Sequence, residues 1–339
     1  MIFWFLLVFM GLAAFVLTGA LRRYALAKSL LDIPNERSSH AVPTPRGGGL
    51  AVVLTFLLGL VVLTMTGFVP VFVFLGLFGA GGLVAAIGWA DDRKDIPARF
   101  RLAGHFAAAA WALVWLGGLP PLPVFGAEVN LGVAGHVLAA VYLVWLLNLY
   151  NFMDGINGIA GIEAITVCVG GAVLYLVCPG CDDRAWMTAL LLAAATAGFL
   201  VWNFPRARIF MGDAGSGFLG MVLGVLSVYA GWIQAELFWG WVILLGAFIV
   251  DATVTLVRRG LRGEKVYEAH RSHAYQHAAR RYGSHTPVSI VYGAINLFWL
   301  LPVAALVASG LMDGFAGVII GYLPLVVLAL LFKAGTEAT

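Results

Sequence analysis

An all-α polytopic membrane protein with about eleven transmembrane helices is the fold class predicted here, and three observations predict it. Of 339 residues, 62% are hydrophobic and only 11% charged, and the mean hydropathy is +0.96, a balance suited to a chain solvated by lipid. The apolar residues gather into runs of about 20, the length a helix needs to cross a bilayer. The charges sit between those runs and favour one side. The whole chain, 1–339, reads as a single integral membrane domain without a separate soluble part.

The first run, residues 1–20, lacks both a preceding basic segment and a small-residue cleavage site, so it reads as a retained first span. Further spans are expected at 48–67, 70–90, 102–118, 134–150, 158–178, 186–202, 214–232, 237–257, 287–309 and 314–333. Alternating their direction puts 21–47, 91–101, 151–157, 203–213, 258–286 and the C-terminus on one side. Of the 20 Lys and Arg residues only Arg184 falls on the other. By the positive-inside rule the basic side is cytoplasmic and the N-terminus lies outside. The outward segment LPPLPVFGAEVNLG has proline punctuation and a Gly-centred turn, which predicts a small hairpin. Cys178 and Cys181, in CPGC, suit either a disulfide or two free thiols, while Cys168 has a core position. No internal repeat is evident, which disfavours a repeat-built transporter.

Three compact acidic motifs, all in segments expected to be cytoplasmic, stand out because carboxylates are costly near hydrocarbon. Asp91 and Asp92 follow a span directly, and adjacent carboxylates suit metal or phosphate chemistry, although a solvated charge cluster is the plain alternative. In NFMDGINGIAG, Asn151, Asp154 and Asn157 recur every third residue and so share one helix face. A helix cap would account for one of the three. In FMGDAGSG, Asp213 opens a span whose N-terminal amides favour phosphate, and its carboxylate could hold a bridging Mg²⁺.

The last cytoplasmic segment holds Arg271, His273, Tyr275, Gln276, His277, Arg280 and Arg281. Its arginines favour phosphate over a histidine-bound cation, against the alternative of a basic patch on anionic lipid, which best fits Arg258, Arg259 and Arg262. The first loop joins Asn35, Arg37, His40 and Arg46 to three glycines, suited to close backbone packing or to phosphate approach. Asp251, inside the ninth span, is a functional candidate unless Arg258 or another basic group pairs with it.

Taken in order, DIPNERSSHAVPTPRGGG, DDRKD, NFMDGINGIAG, FPRARIFMGDAGSG, the DATVTLVRR span end and HRSHAYQ resemble the polyprenyl-phosphate N-acetylhexosamine-1-phosphate transferases, over residues 32–281. The O-antigen-initiating branch looks closest. The resemblance implies transfer of a HexNAc-1-phosphate, or a 6-deoxy-HexNAc-1-phosphate, from a UDP-sugar to undecaprenyl phosphate, with release of UMP and with Mg²⁺ (or Mn²⁺ in its place) as cofactor. It implies that Asp91 and Asp92, with Asp154, form the catalytic acids and that Asn151 and Asp213 hold the metal. Asn157 and Phe210 would contact uracil, and Arg271 and His273 the diphosphate and sugar. Tyr275, Gln276, Asn203, Arg37 and Arg46 complete the substrate-binding set. Two departures matter: Asn157 stands where several relatives carry Asp, and HAYQ replaces the histidine-rich run of the peptidoglycan branch, which argues against UDP-MurNAc-pentapeptide. Direct attack by the lipid phosphate and double displacement through an aspartyl-phosphate both remain open.

The partners implied are undecaprenyl phosphate, the UDP-sugar and membrane lipids, without nucleic acid, and a homodimer is left open. The implied location is a bacterial cytoplasmic (inner) membrane, with the site facing the cytoplasm. The rival reading is a transporter or lipid flippase. It predicts ionisable groups near the bilayer midplane, whereas these acids cluster at one face.

Overall fold

The computed structural model describes residues 1–34, 42–94, 96–181, 184–265 and 270–336. Asn35, Arg37, His40 and Asp95 lie outside the described residues. Each predicted span coincides with a helix or helix pair: α1 (Ile2–Ala27), α2 (Gly49–Met65), α3 (Val71–Asp91), α4 (Ala98–Leu116), α5 (Gly132–Met153), α6 (Ile159–Val177), α7 (Trp186–Asn203), α8 (Asp213–Ile233), α9 (Ala235–Leu244) with α10 (Gly246–Leu261), α12 (His285–Ile295) with α13 (Leu301–Ala308), and α14 (Gly314–Leu331). Between α10 and α12 a short helix, α11 (Ala274–Tyr282), carries the AYQH sequence.

Among the described residues eight helices are long and apolar enough to cross a membrane, or nine if α9 and α10, bent by 64°, count as one span. The other two of the eleven expected spans are helical but fall short for separate reasons. Helix α2 has 17 residues, and α4 carries Arg99, Arg101 and His105, which dilute its apolarity.

The hairpin expected between α4 and α5 is present, with β3 (Leu122–Val124) antiparallel to β4 (Ala127–Val129). Phe125 and Gly126 both take positive φ, 49° and 78°, the pattern of a two-residue turn that follows strand twist. A second ribbon, β1 (Leu31–Asp32) with β2 (Thr44–Pro45), was not expected from the sequence. Cys178 and Cys181 are joined as a disulfide, and Cys168 is buried.

Helix α8 is the axis of the molecule. Nearly all of it is buried, and α2, α3, α4, α5, α6 and α9 pack around it. Small residues make this feasible, because they let helix backbones approach closely. A Cβ on Gly88 of α3 would lie 2.6 Å from the Ala214 backbone nitrogen, and one on Gly49 of α2 would lie 2.5 Å from Gly215 Cα. Glycine at these two positions therefore brings the end of α3 and the start of α2 against the first turn of α8.

Candidate active site

That first turn is where the acidic motifs meet. Gly48 N donates to Phe210 O at 2.9 Å, Gly49 N to Met211 O at 2.8 Å, and Phe210 N to Pro45 O at 2.7 Å. These bonds stitch the glycine run of the first loop to the FMG segment before α8. Close packing is thus the role the structure shows for Gly48 and Gly49, whereas Gly47 takes φ 92° and a Cβ there would meet nothing within 4 Å.

A cavity of about 230 Å³ opens beside this junction. Of the residues singled out in the sequence, Asp92, Asp154, Asn151, Asp213, Asn157, Asn203, Phe210, Gln276 and Arg46 line it. Asp32, Gly212 and His285 line it too and were missed. Asp32 is brought in by the β1–β2 ribbon, which alternation too short to read did not announce. His285 opens α12, just past the basic residues of the last cytoplasmic segment.

The acids are not equivalent. Asp91 pairs with Arg101 and accepts from Ile96 N at 2.8 Å. It lies in a small adjoining cleft that also touches Asn151 and Asp213. Asp92 reaches the main cavity. Its Oδ1 accepts from Asp213 N at 3.5 Å, the Arg46 guanidinium stands 4.0 Å away, and Arg46 also donates to the Asp92 carbonyl. Burial raises the Asp92 carboxyl above its usual range, and Arg46 opposes this. The Asp154 carboxyl, at the end of α5, lies well above the usual range, first through desolvation and then through the charges of Asp213 and Asp92. Arg101 approaches Asp213 to 3.9 Å.

Asn151 Oδ1 accepts from Ser216 Oγ at 3.2 Å, tying α5 to α8. Asn203 lines the cavity while both ends of its amide bridge backbone: Oδ1 accepts from Gly158 N at 2.8 Å and Nδ2 donates to Ile209 O at 2.9 Å. Asn157 donates to Pro205 O at 3.1 Å, and its backbone N lies 3.5 Å from His285 Nδ1.

Three predicted substrate contacts are placed elsewhere. Arg271 lines a neighbouring cavity of about 260 Å³ with Arg280, which shares Gln276 and His285 with the first. His273 is buried, its Nδ1 3.4 Å from Asp251 Oδ1, and Tyr275 is fully buried. Both turn inward because Asp251 caps α11, accepting from Ala274 N at 2.9 Å and Tyr275 N at 3.0 Å. The partner of Asp251 is thus His273 and not Arg258, which donates to Ala334 O at 2.7 Å. Arg259 and Arg262 pair with Glu264. His277 Nε2 lies 3.3 Å from Thr336 O, so it does not converge with His273.

Asp92, Asp154, Asp213 and Asn151 offer only hard oxygen donors, the kind Mg²⁺ takes. Asp92 Oδ2 is buried without a hydrogen-bond partner, which leaves it an acceptor in need of a cation or a donor. Among the described residues no three His, Cys, Asp or Glu side chains already form a metal cage. Mg²⁺ usually takes one or two carboxylates and completes its shell with phosphate and water. The residues therefore fit that ion.

The sequence pattern of glycosyl transferase family 4 matches residues 74–231, a stretch that carries Asp91, Asp92, Asn151, Asp154, Asn157 and Asp213. The chain is 32% identical over 254 residues to the decaprenyl-phosphate N-acetylglucosaminephosphotransferase of Mycolicibacterium smegmatis, covering 66% of this chain and 60% of that protein. It is 29% identical over 330 residues to the protein of the same name from Mycobacterium tuberculosis, covering 84% and 78%. It is 26% identical over 292 residues to the undecaprenyl-phosphate alpha-N-acetylglucosaminyl 1-phosphate transferase of Thermotoga maritima, covering 86% and 87%. With the acids of those matched segments gathered at one end of α8, the chain is similar to glycosyl transferase family 4 and to the polyprenyl-phosphate N-acetylglucosamine phosphotransferases.

Proposed function

We propose that the protein transfers N-acetylhexosamine-1-phosphate from a UDP-sugar to undecaprenyl phosphate, releasing UMP, at the cytoplasmic face of a bacterial inner membrane. The observation that carries this reading is the convergence of Asp92, Asp154, Asp213 and Asn151 with Arg46 in one cavity at the end of a membrane-spanning bundle. Polar acceptors there suit a metal–diphosphate, and the surrounding spans suit a lipid acceptor. The names of the relatives support the polyprenyl phosphate and the N-acetylhexosamine. A role in starting O-antigen or another surface polysaccharide extends the same reading.

In the transfer, an oxygen of the lipid phosphate attacks the β-phosphorus of the donor. The bond from that phosphorus to the bridging oxygen breaks, and UMP leaves with the electron pair. A phosphate monoester loses its second proton near pH ~6, so at neutral pH the nucleophile needs little help from a base. The acids therefore act chiefly through position and charge. Asp92, beside the α8 amides, holds the Arg46 guanidinium in position for the lipid phosphate. Asp213 and Asn151 would hold Mg²⁺, which when bound neutralises charge on the diphosphate. Arg46 adds a guanidinium suited to phosphate oxygens.

The test is to incubate purified protein with undecaprenyl phosphate, Mg²⁺ and a panel of UDP-HexNAc donors, and to measure UMP. Release that depends on both lipid and Mg²⁺ is expected. Absence of UMP with every donor, from folded protein, would overturn the reading.

A further inference from the structure

The carbonyls of the last turn of a helix have no partner within the helix. In α5 this matters, because that turn carries Asn151 and leads into Asp154. Phe152 O is one of these carbonyls, and the Tyr275 hydroxyl donates to it at 2.9 Å. Packing around the bond is tight, since a Cβ on Gly155 would collide with that hydroxyl.

Tyr275 is held in turn from behind. Its backbone N–H and that of Ala274 both donate to Asp251, which also accepts from Tyr292 Oη at 2.6 Å and from Thr255 Oγ1 at 3.2 Å. A single buried carboxylate therefore joins α10, α11 and α12. The tyrosine ring carries that anchorage to the turn between Asn151 and Asp154. It does not line the acidic cavity, and borders instead an apolar cavity of about 400 Å³.

We propose that Tyr275, anchored by Asp251, is a positioning residue: it fixes the 151–154 turn so that Asn151 and Asp154 face the reacting phosphates, and it does not read the sugar. The activity arms below rest on the transfer reading. A residue reading the sugar changes the ratio of rates between donors, whereas one holding the turn changes all of them together.

Tyr275→Phe removes only the hydroxyl and leaves the partly buried Phe152 carbonyl without its donor. The expected result is a fall in kcat of about tenfold with every UDP-HexNAc accepted, while KM and the ratio of rates between donors stay unchanged. Asp251→Asn falls in the same direction, and the double variant falls no further than the lower single variant, because the two residues act through one contact chain. Amide hydrogen exchange of residues 151–157 speeds up in Tyr275→Phe without any substrate present. Two outcomes overturn the proposal: a loss confined to some donors, which makes Tyr275 a sugar contact, or wild-type kcat and exchange in Tyr275→Phe. If Asp251→Asn does not fold, the exchange and kinetics of Tyr275→Phe decide alone. If wild-type protein releases no UMP from any donor, the transfer reading fails, and the exchange measurement still tests the contact chain.

Discussion

Asp213 and Asp154 occupy the same cavity with different local constraints. Asp213 stands at the first position of α8, with the Arg101 guanidinium 3.9 Å from its carboxylate. Asp213→Ala should lower transfer by at least about 100-fold, the scale of losing one electrostatic group at a reacting phosphate, with unfolding in detergent unchanged. Wild-type turnover at ordinary Mg²⁺ would remove Asp213 from the metal site. Asp154 is held well above the ordinary carboxyl range by desolvation and by the charges of Asp213 and Asp92, so its ionised form destabilises the fold. That penalty is absent below the unfolded value of 3.8 and grows as pH rises above it. Without added Mg²⁺, Asp154→Asn should raise the unfolding midpoint at pH 7 over wild type, with the difference closing near pH 3.5, while transfer is lost. Equal midpoints at both pH values would sink the assignment. At this scale the acids were legible because a carboxylate beside an apolar run needs a reason. His273 and Tyr275 were not, because their direction depends on Asp251, distant in sequence and buried in α10.

Among the elements, α3 and α8 show how composition becomes site geometry. Gly88→Ala places a methyl group 2.6 Å from the Ala214 backbone nitrogen, so one backbone must shift, at a cost of about 1–3 kcal/mol. Gly82→Ala in the same helix meets nothing within 4 Å and should be neutral or mildly stabilising. Thermal unfolding of both variants checks the contrast, and Gly88→Ala should also lose activity because Asp92 follows on the same helix end. Elements were legible wherever one period ran for about 20 residues. The β1–β2 ribbon was not, because two-residue strands carry no alternation. The bend between α9 and α10 was also missed, since a continuous apolar run does not reveal where its axis turns by 64°.

For the whole molecule, the distribution of charge makes a claim about sidedness. The segments bearing Lys94 and Ser284 should face the cytoplasm, and the β3–β4 hairpin bearing Glu128 should face outward. Single cysteines at these three positions, in a background with Cys168, Cys178 and Cys181 replaced, check this in intact cells with an impermeant maleimide. Labelling confined to position 128 is expected, and labelling at 94 or 284 would reverse the topology. The pattern of spans, and the gathering of acids at one end, could be read from sequence because both follow from the cost of charge in hydrocarbon. Which wall of the cavity each residue forms could not, because that depends on how the helices are arranged around α8.

The cavity that joins Asp32 to Gln276 has a consequence for biosynthesis. Asp32 leaves the ribosome early and Gln276 very late, with most of the helices made between them. Domains usually fold as their segments emerge, but here the early helices enter the membrane with one wall of the site already placed and the opposite wall not yet synthesised. Only when α11 and the start of α12 are in place do Gln276 and His285 complete the cavity wall. A chain truncated before that point carries most of the acids without the wall that Gln276 supplies, so partial products of translation should insert as inactive helices rather than as unregulated transferases.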